Sequence, residues 1–266
     1  MPIRTPTFSD IQTNPPLGDR GLINIFLPEG EGISPYILGV HGGGWEAGDR
    51  NSYSHFWPRI KPTGIAFVLC SYRVFREAHY PAAYHDIVHL FKWLKRNGWN
   101  YRLDSNHCVL LGGSAGGHLA MLSGLRATKE EDDICKIKGI VDYCGIMDLV
   151  KQYAHDQIRG NTMTSDFMGG TPLEKADAYK EASPINHIHL HAPKLWIAHG
   201  TVDNIVPMEQ SKKMVSLLRS AGHSPVFMEA KDRKHTMTTD DSLSFDKVEF
   251  LFEREMLEFV ISCFLC

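Results

Sequence analysis

Cys108-Val109-Leu110-Leu111-Gly112-Gly113-Ser114-Ala115-Gly116-Gly117-His118-Leu119-Ala120-Met121-Leu122 reads as an apolar strand, a tight turn around a serine, and a helix in succession. That order, with a Gly-x-Ser-x-Gly turn, is the pattern of a nucleophile elbow. The chain reverses so sharply there that side chains next to the serine would collide, and glycine removes them. The hydroxyl is carried above the sheet edge at the N-terminus of the next helix. Free backbone N–H groups and the helix dipole favour negative charge at that point. Glycine-rich serine turns also occur as plain structural loops, so the reading rests on what stands around this one.

Three other stretches stand in the order the chemistry needs. His41-Gly42-Gly43-Gly44-Trp45 follows Tyr36-Ile37-Leu38-Gly39-Val40, an apolar run that reads as a buried strand. Consecutive glycines let backbone N–H groups face a cavity unobstructed, which is the requirement of an oxyanion hole. Asp203 lies just after the strand-like run Lys194-Leu195-Trp196-Ile197-Ala198 and before Pro207, which suits a first helical turn. A carboxylate on a loop after a parallel strand is where an α/β site gathers its residues. The bland alternative is a turn or N-cap aspartate. His235 follows the strand candidate Pro225-Val226-Phe227-Met228-Glu229, and no histidine lies beyond it. His223 is the other candidate, but its helix-to-strand turn falls at the opposite end of a parallel sheet from Ser114. The order Ser114, Asp203, His235 is that of an α/β-hydrolase triad.

Strand-like runs at 22–27, 36–40, 66–71, 108–111, 139–144, 194–198 and 225–229 alternate with helical patterns. The alternation predicts one α/β domain over residues 1–266, a mostly parallel sheet with helices on both faces. Helices are expected over 81–98, where Ala83, Ile87, Leu90, Phe91 and Leu94 form a stripe, over 208–221, and over about 245–264. The mixed, polar stretch Ile146–His191 breaks the alternation and reads as a small cap or lid over the site. Within it His187, His189 and His191 would share one face of an extended segment. No acid or cysteine follows at ligand spacing, so a solvated turn is the preferred reading and no metal is assigned.

The chain resembles the α/β-hydrolase esterases related to hormone-sensitive lipase, and within them the bifunctional feruloyl and acetyl-xylan esterases. The residues that carry the resemblance are His41 to Trp45 with Gly48-Asp49, Ser71-Tyr72-Arg73, Pro81 to Asp86 and Gly112 to Ala120. Further on they are Phe167 to Pro172, Ala182-Ser183-Pro184-Ile185 and His199 to Pro207. Gly113 stands where the lipase-related members usually carry Asp, which favours the carbohydrate-esterase side. The resemblance implies an α/β-hydrolase fold and a serine carboxylesterase without cofactor. Ser114, His235 and Asp203 would be its catalytic triad, and Gly43, Gly44 and Ala115 would hold the oxyanion. Its substrates would be small acetyl or hydroxycinnamoyl esters of sugars or aryl alcohols. Trp45 and Tyr72, with Trp57, would wall the pocket or else serve as core aromatics. The competing readings are an arylformamidase-type amide hydrolase and a non-catalytic small-ligand receptor on the same fold.

A 43% apolar content suits a sizeable core, and a net charge of −3 without a basic patch excludes nucleic acid as a partner. No apolar run reaches the roughly 20 residues of a membrane span, and Met1 is followed by no apolar signal region. Six scattered cysteines, with a Cys263-x-x-Cys266 that closes the chain rather than opening a helix, fit a reducing compartment. The expected location is therefore the cytoplasm, with the oligomeric state left open.

Overall fold

A computed structural model describes residues 5–130, 133–235, 237 and 252–265. The strands are β1 (Phe8–Gln12), β2 (Leu22–Phe26), β3 (Ser34–Val40), β4 (Ala66–Cys70), β5 (Leu103–Gly113), β6 (Ile137–Tyr143), β7 (Lys194–Gly200) and β8 (Val226–Ala230). They form one sheet in the order β1-β2-β4-β3-β5-β6-β7-β8. β1 and β2 pair antiparallel, as do β2 and β4, and every pair from β4 to β8 is parallel. The helices are α1 (Trp57–Ile60), α2 (Ala82–Asn97), α3 (Ala115–Glu130), α4 (Leu149–Ile158), α5 (Met163–Met168), α6 (Ala176–Ala182), α7 (Glu209–Ser220) and α8 (Glu253–Phe264). This is the α/β-hydrolase fold.

The central strands are apolar on both faces because both faces are covered. Leu38, Val40, Leu110, Ile140 and Ile197 pack into one cluster with α2, α3 and α7. Their neighbours Ile37, Leu111, Val141 and Trp196 pack on the other face with Trp57 of α1 and Val260 of α8. The period of two along each strand thus feeds two separate cores. On α2 the predicted stripe is the buried one: Ala83, Ile87, Leu90, Phe91 and Leu94 are all enclosed.

β1 escaped the sequence reading. Its five residues, Phe-Ser-Asp-Ile-Gln, form an edge strand with no buried position and a register shift between Phe8 and Ile11. A short polar edge strand has no hydrophobic pattern to announce it. Of the predicted last helix, residues 253–264 are helical, and 245–251 lie outside the described residues, as does Cys266. The five described cysteines are buried, and among the described residues they form no disulfide. Among the described residues no helix is long and apolar enough to cross a membrane.

The insertion is built from α4, α5 and α6. Asp148 caps α4 by accepting from the Lys151 N–H at 3.0 Å. Gln152 of α4 donates to the Ile205 carbonyl at 2.9 Å, and Gln210 of α7 donates to Gln152 at 2.8 Å. The insertion is thereby tied to the loop that carries Asp203.

Candidate active site

Five loops leave the carboxyl ends of parallel strands. β3 runs into His41–Gly44, β5 into Ser114, β6 into Cys144, β7 into Asp203 and β8 into His235. Ser114 has φ 55°, in the left-handed region that only a constrained turn imposes on a side-chain-bearing residue. Gly116 makes the turn possible. A Cβ there would stand 2.1 Å from the Val40 carbonyl oxygen and 2.5 Å from that of His41. The elbow therefore lies flat against the end of β3, which brings the glycine loop beside the serine.

The sequence-predicted trio converges. His235 Nε2 lies 2.8 Å from Ser114 Oγ, and His235 Nδ1 lies 2.7 Å from Asp203 Oδ2. Ser114 is 7% exposed and His235 4%. The other carboxylate oxygen, Asp203 Oδ1, accepts the N–H groups of Ile205 and Val206 at 2.8 and 3.0 Å. Burial opposes a charge on Asp203. The neighbouring His235 and His199 outweigh it and hold the carboxyl well below the usual carboxylate range. The N–H groups of Gly43, Gly44 and Ala115 donate to nothing among the described residues.

Asp142 and His223 stand apart from this group. Asp142 is buried, accepts the Gly145 N–H at 3.1 Å, and burial pushes its carboxyl up to about 7. His223 precedes the amino end of β8 and bonds to the His189 carbonyl at 2.9 Å. His187 and His189 each bond to a separate backbone carbonyl, of Glu181 at 2.6 Å and Leu125 at 3.0 Å. Among the described residues, the metal-capable side chains that gather within 4.8 Å are Cys144, Asp203 and His235. Two of those are already hydrogen-bonded to each other.

The aromatic residues occupy a different place from the pocket wall expected of them. Tyr72 is 0% exposed, stacks on His41 at 4.1 Å between ring centroids, and donates its hydroxyl to the His41 carbonyl at 2.8 Å. Trp45 is 2% exposed, stacks on Phe167 at 4.4 Å, and donates Nε1–H to His118 Nδ1 at 3.1 Å. Trp57 packs on Phe26 beneath the sheet. All three are core aromatics, and the first two brace the glycine loop from behind. Burial also drives the His41 and His118 imidazoles down to about 4, so both are neutral spacers at ordinary pH.

His199 is the residue the sequence reading passed over. It sits at the end of β7, four positions before Asp203, inside the stretch that drew attention to the aspartate. Its Nε2 lies 2.9 Å from the Val206 carbonyl and 3.2 Å from Asp203 Oδ2, and its Nδ1 lies 2.7 Å from Ser211 Oγ. A carbonyl only accepts, so Nε2 carries the hydrogen and Asp203 Oδ2 receives a second imidazole donor. Replacing His199 with Phe keeps a ring but leaves a buried carboxylate short of one donor. Thermal unfolding is expected to show a loss of about 2 kcal/mol, the worth of a hydrogen bond to a charged group. A melting temperature unchanged from wild type would remove His199 from the support of Asp203.

The BD-FAE family model matches residues 23–218, which span the glycine loop, the elbow, the insertion and Asp203. The chain belongs to the BD-FAE family. Among curated relatives of this BD-FAE chain is the probable carboxylic ester hydrolase LipM of Mycobacterium tuberculosis. It is 26% identical over 204 residues, covering 73% of this chain and 47% of LipM. Versiconal hemiacetal acetate esterase of Dothistroma septosporum is 30% identical over 120 residues, 44% of this chain and 36% of that protein. The chain spans about half the length of the first of these relatives. Among solved structures, a truncated carbohydrate esterase from gut microbiota superimposes with a TM-score of 0.82 at 20% identity. It covers 98% of this chain and 99% of that one, so the two share the whole fold.

Proposed function

We propose that this protein is a serine carboxylesterase for small acyl esters. The observation that carries the reading is the unbroken line from Ser114 Oγ through His235 to Asp203, at 2.8 and 2.7 Å. Ser114 Oγ attacks the ester carbonyl carbon as His235 Nε2 takes its proton. Asp203 keeps the imidazole in the tautomer with hydrogen on Nδ1 and stabilises the imidazolium. The carbonyl oxygen becomes an oxyanion, received by the N–H groups of Gly43, Gly44 and Ala115. His235 then gives its proton to the departing alcohol oxygen. A water, deprotonated by the same nitrogen, attacks the acyl carbon; the acyl–Oγ bond then breaks, His235 returns that proton to Ser114 Oγ, and the acid leaves. No step calls for a cofactor.

The proposed substrates are acetyl or hydroxycinnamoyl esters of sugars or aryl alcohols. The support is the family, the relatives named as ester hydrolases and acetate esterases, and the neighbour named as a carbohydrate esterase. A complete triad speaks against the receptor reading, since a binder has no use for an aligned general base. Hydrolysis of p-nitrophenyl acetate, an acetylated sugar, methyl ferulate and N-formylkynurenine tests the esterase reading against the amide one. Turnover of N-formylkynurenine alone would replace it.

Short acyl groups are expected to be preferred. The Met163 thioether lies directly against Gly44, so close that a Cβ on Gly44 would sit 2.3 Å from its sulfur. The insertion exposes Lys151, Gln157 and Arg159 between its exposed apolar residues Val150, Ile158, Leu173 and Leu190. The check is kcat/KM for p-nitrophenyl esters from two to sixteen carbons, with the maximum expected at about two to four. A maximum at about eight or above would show a deep apolar tunnel and make the protein a lipid esterase.

A further inference from the structure

We propose that Tyr53 is a positioning residue for ester hydrolysis: its hydroxyl fixes the serine elbow against the glycine loop and so sets the spacing between the two halves of the oxyanion hole. The proposal rests on the esterase reading above. In that reading Gly43 and Gly44 donate from the loop after β3, and Ala115 donates from the elbow after β5. Donors on two separate segments meet one oxygen only if the gap between the segments is held constant.

The sheet itself does not hold it. β3 and β5 pair in parallel as far as Val40 and Gly112, and β3 ends at Val40. Beyond that point the Ser114 N–H turns toward β6 and donates to the Tyr143 carbonyl at 2.9 Å. Successive N–H groups along an extended chain point to opposite neighbours, so the Gly113 N–H points the other way, to the β3 side. There β3 has already bent off into His41–Gly44, and a buried N–H needs an acceptor in its place. Tyr53 Oη is that acceptor, at 3.1 Å from the Gly113 nitrogen.

The same oxygen also meets the glycine loop. Burial drives the Tyr53 phenol well above the ordinary tyrosine range, and the backbone N–H groups of Gly113 and Gly42 act against that shift. The oxygen is thus a neutral acceptor at ordinary pH, with one donor from the elbow and one from the loop. The two backbones touch at this point. A Cβ on Gly42 would stand 2.9 Å from the Gly113 carbonyl oxygen and 3.7 Å from Ser114 Cβ. Tyr53 is itself held firmly. Its ring is buried on the Trp57 side of the sheet and packs on Phe56 at 5.5 Å between centroids. The turn before it is pinned to β2, because Asn51 Oδ1 accepts from the Asn24 amide at 2.9 Å and the Asn51 N–H donates to Asp49 Oδ1 at 2.6 Å.

Tyr53→Phe keeps the ring and removes the oxygen. With p-nitrophenyl acetate, kcat is expected to fall about tenfold at unchanged KM, because the oxyanion exists only after the ground state. Affinity for an alkyl boronic acid, whose tetrahedral adduct with Ser114 puts an oxygen in the same place, should weaken by the same factor. A ring that only fills space would alter the melting temperature and leave both quantities alone. A kcat within about twofold of wild type, a loss confined to KM, or an unchanged boronate affinity overturns the proposal. If the phenylalanine variant does not fold, p-aminophenylalanine at position 53 restores the outline of the side chain with a much poorer acceptor, and the same outcomes decide. The esterase reading fails separately, if wild type cleaves no ester. Hydrogen exchange at the Gly113 amide then reads the brace alone: it should be about tenfold faster in the variant than in wild type, and equal rates overturn the proposal.

Discussion

The Ser114→Ala protein is expected to fold normally and to hydrolyse p-nitrophenyl acetate several orders of magnitude more slowly than wild type. Among the described residues the hydrogen-bond partner of Ser114 Oγ is His235 Nε2, at 2.8 Å. Removing it deletes the nucleophile and almost no packing, so the melting temperature should move by only a few degrees. The residual rate would come from oxyanion donors and binding, which alone give on the order of 10³–10⁴ over water. A purified variant that keeps more than a tenth of wild-type kcat/KM would show that another group attacks the ester.

The second large effect is expected from His235→Ala, with His223→Ala as its control. His235 touches both partners, Ser114 at 2.8 Å and Asp203 at 2.7 Å. Its loss should cost nearly as much activity as loss of the serine, because among the described residues the hydroxyl has no other side-chain acceptor bonded to it. It should also leave a fingerprint in acid. Asp203 is held below the ordinary carboxylate range against its burial, first by the His235 charge and then by His199. A depressed folded pKa contributes stability that is present above the unfolded value near 3.9 and is lost as pH falls toward the folded value. Without His235 that contribution shrinks, so the variant should unfold at a less acidic pH than wild type. His223, bonded to the His189 carbonyl at the other end of β8, should change neither quantity. The reverse ranking of the two variants would sink the assignment of the base.

The sheet, the elbow and the insertion were legible because each leaves a mark on local sequence. Buried parallel strands such as β4, Ala-Phe-Val-Leu-Cys, are continuous apolar runs, and a turn as tight as the one at Ser114 demands glycine. The trio of Ser114, Asp203 and His235 was readable from chain order, since the loops that hold them all follow strands. What could not be read was direction. Trp45 and Tyr72 carry the same residue types as a substrate wall, and only the packing shows them turned inward onto Phe167 and His41. His199 was hidden for a related reason. A histidine at the end of an apolar strand looks like any core histidine until its distance to Asp203 is known. Met163 gave no signal, because its meeting with Gly44 joins residues far apart in the chain.

Three ties join the insertion to the glycine loop. Met163 rests on Gly44, Phe167 stacks on Trp45, and His118, which accepts from Trp45, itself bonds to the Ala182 carbonyl of α6 at 2.8 Å. An insertion fastened in this way cannot move away without pulling on Gly44 and Trp45, at the oxyanion donors of the proposed mechanism. Under the proposed mechanism access and catalytic competence are therefore opposed here, where in an interfacially activated lipase they rise together. Rate should climb smoothly with dissolved ester and show no jump when the ester begins to form droplets.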